Sequence, residues 1–172
     1  MSTVRVWLSG WEWACCGDPF TVGDSVSFPC RPPQGTWLVD QFGAEFAASI
    51  AFVEEHHDDG GHDRPVQTVA GTVQAIHEVV VQETVVRIPR PPRDAPAPID
   101  LGGGVLMGVG PVPPYVLASE PIPRTVRLRS ATRVPAVRDR DRTGSAEPAP
   151  QRDPEDGAVV TRRPGWVVDV EV

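Results

Sequence analysis

Residues 3–9 read Thr-Val-Arg-Val-Trp-Leu-Ser, and the fold turns on how this stretch is read. Val4, Val6 and Leu8 alternate with Arg5, Trp7 and Ser9, the period of a strand with one buried face. Trp7 falls on the wrong side of that alternation. Either a second layer covers it or it stands in solvent. A covering layer is present further along. Phe42, Phe46, Ile50 and Val53 recur at four, four and three residues, which is one face of a helix. A helix is therefore expected over residues 37–47, with Thr36 as N-cap and Gly43 as its weak point. Residues 48–57 fit helix or strand, because Ile50 and Phe52 also alternate. Trp11 and Trp13 keep the parity of Trp7, unless a bulge at Gly10 resets it.

Strand patterns dominate the rest. Val26 and Phe28 point inward from a second strand, and residues 66–88 are the richest in β-branched side chains. Within them Val69, Val73, Val79 and Val81 share one register, and a turn near Gln82–Glu83 would fold 79–81 and 85–88 into a hairpin. Val126 and Leu128 face inward from a strand whose Arg127 and Arg129 face outward. Trp166, Val168, Val170 and Val172 close the chain on one side of a last strand. A strand at each terminus fits a sheet that closes on itself. The expected fold is mainly β with one or two helices, a small SH3-like or OB-like barrel with long irregular insertions. Its domain comprises residues 1–88, 124–137 and 165–172. Residues 89–123 form a Pro/Gly-rich insertion, and residues 138–164 are too poor in apolar side chains to be expected to order.

Composition narrows the class. The chain has 172 residues with 20 Pro and 16 Gly, too much backbone punctuation for a helical bundle. It has no Lys and no Asn, so a P-loop ATPase, a kinase and a Schiff-base enzyme all lack their usual lysine. Residues 1–86 hold 3 Arg against 12 acids, whereas residues 87–142 hold 10 Arg against 5 acids. That asymmetry reads as internal charge complementarity. A net charge of −7, and no aromatic side chain between the arginines, argue against nucleic acid as partner. Three Cys make no disulfide framework. Residues 1–8 hold no leader pattern, and the uncharged stretch 101–119 is interrupted by five Gly and three Pro. A reduced, cytoplasmic, soluble protein without membrane contact is expected.

The set Val6-Trp7, Trp11, Cys15-Cys16-Gly17-Asp18-Pro19-Phe20, Gly23-Asp24, Val26, Glu54-Glu55-His56-His57 and Gly71-Thr72-Val73 resembles a family of small actinobacterial proteins known only as a domain of unknown function. The resemblance covers residues 4–76 and, less closely, the closing strand at 165–171. It implies no catalytic residue and no cofactor.

Three constellations carry chemistry. Cys16, His57 and His62 are candidate zinc ligands, since thiolate and imidazole suit that ion, with water or Asp63 as the fourth. Adjacent residues diverge on a helix or a strand, so each of the pairs Cys15-Cys16 and His56-His57 offers one easy ligand. No CxxC or HExxH spacing supports the set, and zinc is the one cofactor these donors would take. Glu54 and Glu55 beside His57 form a candidate acid/base group. Trp7, Trp11, Arg127 and Arg129 form a candidate binding surface. Alternatively the arginines pair across strands with Asp169 and Glu171. The main functional expectation is a non-enzymatic interaction or regulatory module with a protein partner. The alternative is a zinc-dependent or His/Glu-assisted enzyme where Cys16 and His57 converge.

Overall fold

A computed structural model describes residues 2–55, 67–90, 99–100, 106–107, 113–135 and 153–172. The residue 3–9 strand forms as read: β1 (Thr3–Ser9) buries Val6 and Leu8. α1 (Gly10–Cys16) follows directly, then β2 (Phe20–Thr21), β3 (Ser25–Arg31), α2 (Trp37–Phe42), α3 (Ala44–Ser49) and β4 (Phe52–Glu54). The long β5 (Gln67–Pro89) comes next, then β6 (Ile99–Asp100), β7 (Leu106–Met107), β8 (Tyr115–Pro121), β9 (Arg127–Ala131), β10 (Arg133–Val134) and β11 (Val159–Glu171). No helix among the described residues is long and apolar enough to cross a membrane.

The mainly β expectation holds, and the two terminal strands close the sheet. β1 runs antiparallel to β11 from Thr3↔Glu171 to Ser9↔Gly165. β11 in turn pairs with β5, β5 with β3, β3 with β4, and β4 with β1 in parallel, which completes a ring of five strands. Gly165 sits where the strands meet most tightly. A Cβ there would lie 2.1 Å from the Leu8 carbonyl oxygen, so only glycine fits the seam.

The ring has an inside and an outside, and both are covered. Inside lie Val6, Leu8, Phe28, Cys30, Val69, Val73, Ile76, Val168 and Val170, with Trp13 and Phe20 at one end. Outside, Trp7, Val79, Val81 and Val167 pack under Leu38, Phe42, Phe46 and Ile50 of the helical segment. Trp7 is 2% exposed, with ring centroids 5.0 Å from Phe42 and 6.0 Å from Phe46. The covering layer is therefore the helical one, and Trp7 is no part of a surface.

Five expectations are corrected. Trp11 and Trp13 lie on α1, not on an extension of β1. The next partner after Ser9↔Gly165 would be Pro164, which has no N–H to give, so the chain turns into a helix that satisfies its own backbone. The helix expected over residues 37–47 is two helices, split at Gly43 with φ +90°, and the second continues to Ser49. The hairpin near Gln82–Glu83 is absent; β5 runs through unbroken because β8 and β11 flank it there. The shared register of Val69, Val73, Val79 and Val81 is broken by a bulge: Val170 faces Val73 but Asp169 faces Ala75. Val69 and Val73 therefore point into the ring, and Val79 and Val81 point out of it. Finally, the last strand begins at Val159 rather than Gly165, and β8 lies within the stretch read as an insertion. Residues 153–158 are pinned to β5: the Arg87 N–H donates to Asp156 (2.7 Å), and the Gly157 N–H donates to the Val85 carbonyl (2.8 Å). Residues 136–152 and 91–98 lie outside the described residues.

Candidate functional site

α1 closes one end of the ring. Its Trp13 turns inward against Phe20 and Phe28, with ring centroids at 5.4 and 5.9 Å. Cys15 and Cys16 are left exposed on its last turn. β4 brings a carboxylate to the same end. Cys30 and Glu54 face each other across the β3–β4 pair, so the Glu54 side chain shares the interior face with the buried Cys30 thiol. Both residues are fully buried.

Electrostatics ties these groups together. Burial, and then the nearby charges of Glu12 and Glu55, push the Glu54 carboxyl up to about 8. Glu54 is then a neutral carboxylic acid, able to donate a proton, at a pH where an exposed glutamate is a carboxylate. Burial and the Glu54 charge push the Cys30 thiol up to about 12, which leaves it unreactive. The Cys16 thiol is raised by its hydrogen bond with Cys15, then by desolvation and the charges of Cys15 and Glu54. A raised thiol is a poor nucleophile at neutral pH, in keeping with the absence of a base beside it in sequence. Next to Glu54, the buried Arg31 donates its Nε–H to Glu55.

Of the sequence-derived zinc set, the structure places Cys16 at this end, close enough for Glu54 to act on its thiol. His57 and His62, with His56 and Asp63, lie outside the described residues. Among the described residues no three His, Cys, Asp or Glu side chains are grouped to hold a metal. The acid/base set is half visible: Glu54 is a buried strand residue rather than part of a solvated loop. Sequence reading missed its role. The available signal was Phe52, which packs against the inner cluster and shares its strand parity with Glu54.

The binding-surface set is dispersed. Trp11 is 68% exposed on α1, while Trp7 is buried under the helices. Arg127 and Arg129 are exposed on β9. Their expected pairing with Asp169 and Glu171 does not occur, because β9 and β11 lie on opposite edges of β5. Asp169 instead accepts from Arg5 at 2.8 Å, and Glu171 accepts from Gln74 at 2.8 Å.

A second concave feature lies on the helical face. A groove of about 850 Å³ runs between α2–α3 and the β8–β9 connection. Phe42 and Phe46 line it, Val39 and Leu128 stand 44% and 41% exposed along it, and Arg124 lies at the connection with a left-handed φ of +62°. Asp40 and Glu45 supply acidic charge on the helical wall. Sequence reading missed this groove because its walls come from segments about 80 residues apart.

Fold and site define a mainly β protein: a strand ring stoppered by a short helix, backed by a helical pair with an open groove. The chain belongs to a family of unknown function (DUF6578), whose model matches residues 2–172. The match extends over nearly the whole chain, beyond the stretch that carried the resemblance. Neither a curated protein nor a solved structure matches the chain.

Proposed function

We propose that this protein is a non-enzymatic interaction module that seats an apolar segment of a protein partner in the groove between α2–α3 and the β8–β9 connection. The observation that carries the reading is the pair Val39 and Leu128. Both are large apolar side chains exposed along a groove whose size, about 850 Å³, suits a short peptide stretch. Charge selects the occupant. The helical wall carries Asp40 and Glu45 and the opposite wall carries Arg124, so the segment places a base towards the helices and an acid towards Arg124. A photo-reactive residue at position 128, in the native host, should give one discrete cross-linked product that Arg124→Glu removes. The same residue at position 159, exposed on β11, serves as control. Identical products from both positions overturn the reading.

One observation favours a second reading, an enzyme that uses Cys16, His57 and His62 on a zinc ion or Glu54 as a general acid. Glu54 is a buried carboxyl kept protonated near neutral pH, the property expected of a proton donor. Metal analysis of the purified protein separates the two readings. Stoichiometric zinc that Cys16→Ser releases supports the enzyme, and zinc-free protein with unaltered folding removes the zinc form of it.

A further inference from the structure

β9 borders the groove as an edge strand. It pairs with β5 and, among the described residues, with no other strand. An edge strand points N–H and C=O groups outward at every second residue, and an extended chain can complete them as a new strand. Residues 127–130 are all exposed. Directly paired residues share a face, so the register with β5 assigns the two faces of β9. Leu128 pairs with Val79, which packs under the helices, and Arg124, Val126 and Leu128 line the groove at alternate positions. Arg127 and Arg129 pair with Val80 and Glu78 and stand on the opposite face. Among the described residues neither arginine forms an ion pair, and Glu78 lies 3.6 Å from the Arg163 Nε. The edge is thus cationic on one face and apolar on the other. A second copy of β9 does not suit it, because like charges would meet across the new ladder.

We propose that β9 takes the partner's segment as an added strand, and that this segment alternates acidic and apolar residues. The inference rests on the groove reading above and supplies its binding mode. Backbone hydrogen bonds join the segment to the β9 edge. Two acidic side chains at alternate positions lie opposite Arg127 and Arg129, and the apolar side chain between them covers Leu128. Main-chain bonds supply affinity, and the alternation fixes the register, since a slip of one residue would set acids against Leu128. A nucleic acid strand offers the negative charge but no peptide groups to continue the ladder.

The test uses the full-length protein and a capped, dye-labelled heptapeptide that alternates glutamate with valine, read by fluorescence polarisation. Binding should saturate and should weaken as salt rises. Arg127→Glu combined with Arg129→Glu should weaken it about 10-fold, and lysine in place of the peptide's glutamates should restore binding to that variant. Both side chains are exposed, so the variant should unfold like the parent protein. N-methylation at alternate peptide positions should abolish binding in one register and spare it in the other, because an added strand turns every second N–H towards β9. No saturable binding, equal losses from both N-methylated registers, or unchanged affinity in the charge-reversed variant overturns the added strand. Displacement of the peptide by oligothymidylate overturns it too and transfers the arginines to nucleic acid. A discrete cross-link from position 128 alongside any of these results leaves the groove reading standing and removes only this inference.

Discussion

The interior of the strand ring and the layer beneath α2 and α3 are built on the same strands, yet they enclose different chemistry: the interior holds the buried Glu54 carboxyl and Cys30 thiol. β1 sends Val6 and Leu8 inward and Trp7 outward; β4 sends Val53 outward, and its register with Cys30 turns Glu54 inward. The outer layer packs aromatic and aliphatic side chains, with Trp7, Phe42 and Phe46 in mutual ring contact. The interior surrounds a carboxyl and a thiol whose charged forms are disfavoured by burial. One strand parity thus produces an apolar cluster under the helices and a core whose energy depends on the protonation of Glu54. The difference shows where stability and chemistry are separated in this protein.

The largest effect expected is on the outer layer. Trp7→Ala should cost ~3–5 kcal/mol, the range for deleting a buried aromatic. Trp11→Ala, at an exposed position on α1, should stay within about 0.5 kcal/mol of the parent. Urea denaturation of both variants measures the contrast, and equal losses would mean that the helices do not cover Trp7.

The ring interior should answer to pH. The folded carboxyl of Glu54, near 8, lies above its unfolded value of about 4.3, so the folded state binds the extra proton between those limits. Its stabilising effect is complete below the unfolded value and is lost as pH rises through 8. A difference of that size corresponds to a fall of at most about 5 kcal/mol. Glu54→Gln, neutral at every pH, should flatten the profile, as denaturation midpoints at a series of pH values would show. A fall of the same size in the variant would assign the slope to other groups.

Between the two layers lies the seam. Gly165→Ala must displace the Leu8 carbonyl, 2.1 Å from the new Cβ, and should cost about 1–3 kcal/mol by overpacking. Thermal unfolding reads this directly, and an unchanged midpoint would show that β1 and β11 can separate without penalty.

The smallest effect on stability is expected at the groove. Leu128→Glu should change stability by less than about 0.5 kcal/mol, because its side chain is already in solvent. The same substitution should abolish cross-linking from a photo-reactive residue at position 39. A large loss of stability would make Leu128 part of the outer core instead of a contact for a partner.

Much of this was legible from residue order. Alternation located β1, β3 and the end of β11, and the spacing of Phe42, Phe46 and Ile50 located the helical face. The dilemma of Trp7 had its solution in that face. The errors arose where one element's backbone depends on another's. α1 starts because Pro164, far along the chain, cannot continue the ladder with β1. Val79 and Val81 point outward because one bulge opposite Val170 shifts the parity of β5. The candidate site was half legible: Cys16 and Glu54 were singled out, but not their shared end of the ring.

Sequence alone determined the materials: a mainly β chain with apolar strands at both termini, one aromatic helical face, a pair of adjacent thiols and an acidic first half. Those properties follow from local periodicity and composition, which need no partner to be read. Only the tertiary structure decided that Glu54 is buried beside Cys30, that Arg127 and Arg129 are parted from Asp169 and Glu171, and that a groove opens beside α2 and α3. Each of those results depends on which strand lies next to which. Strand order is set by the packing of the whole chain, and a side chain's charge responds to neighbours that only the closed ring brings within reach.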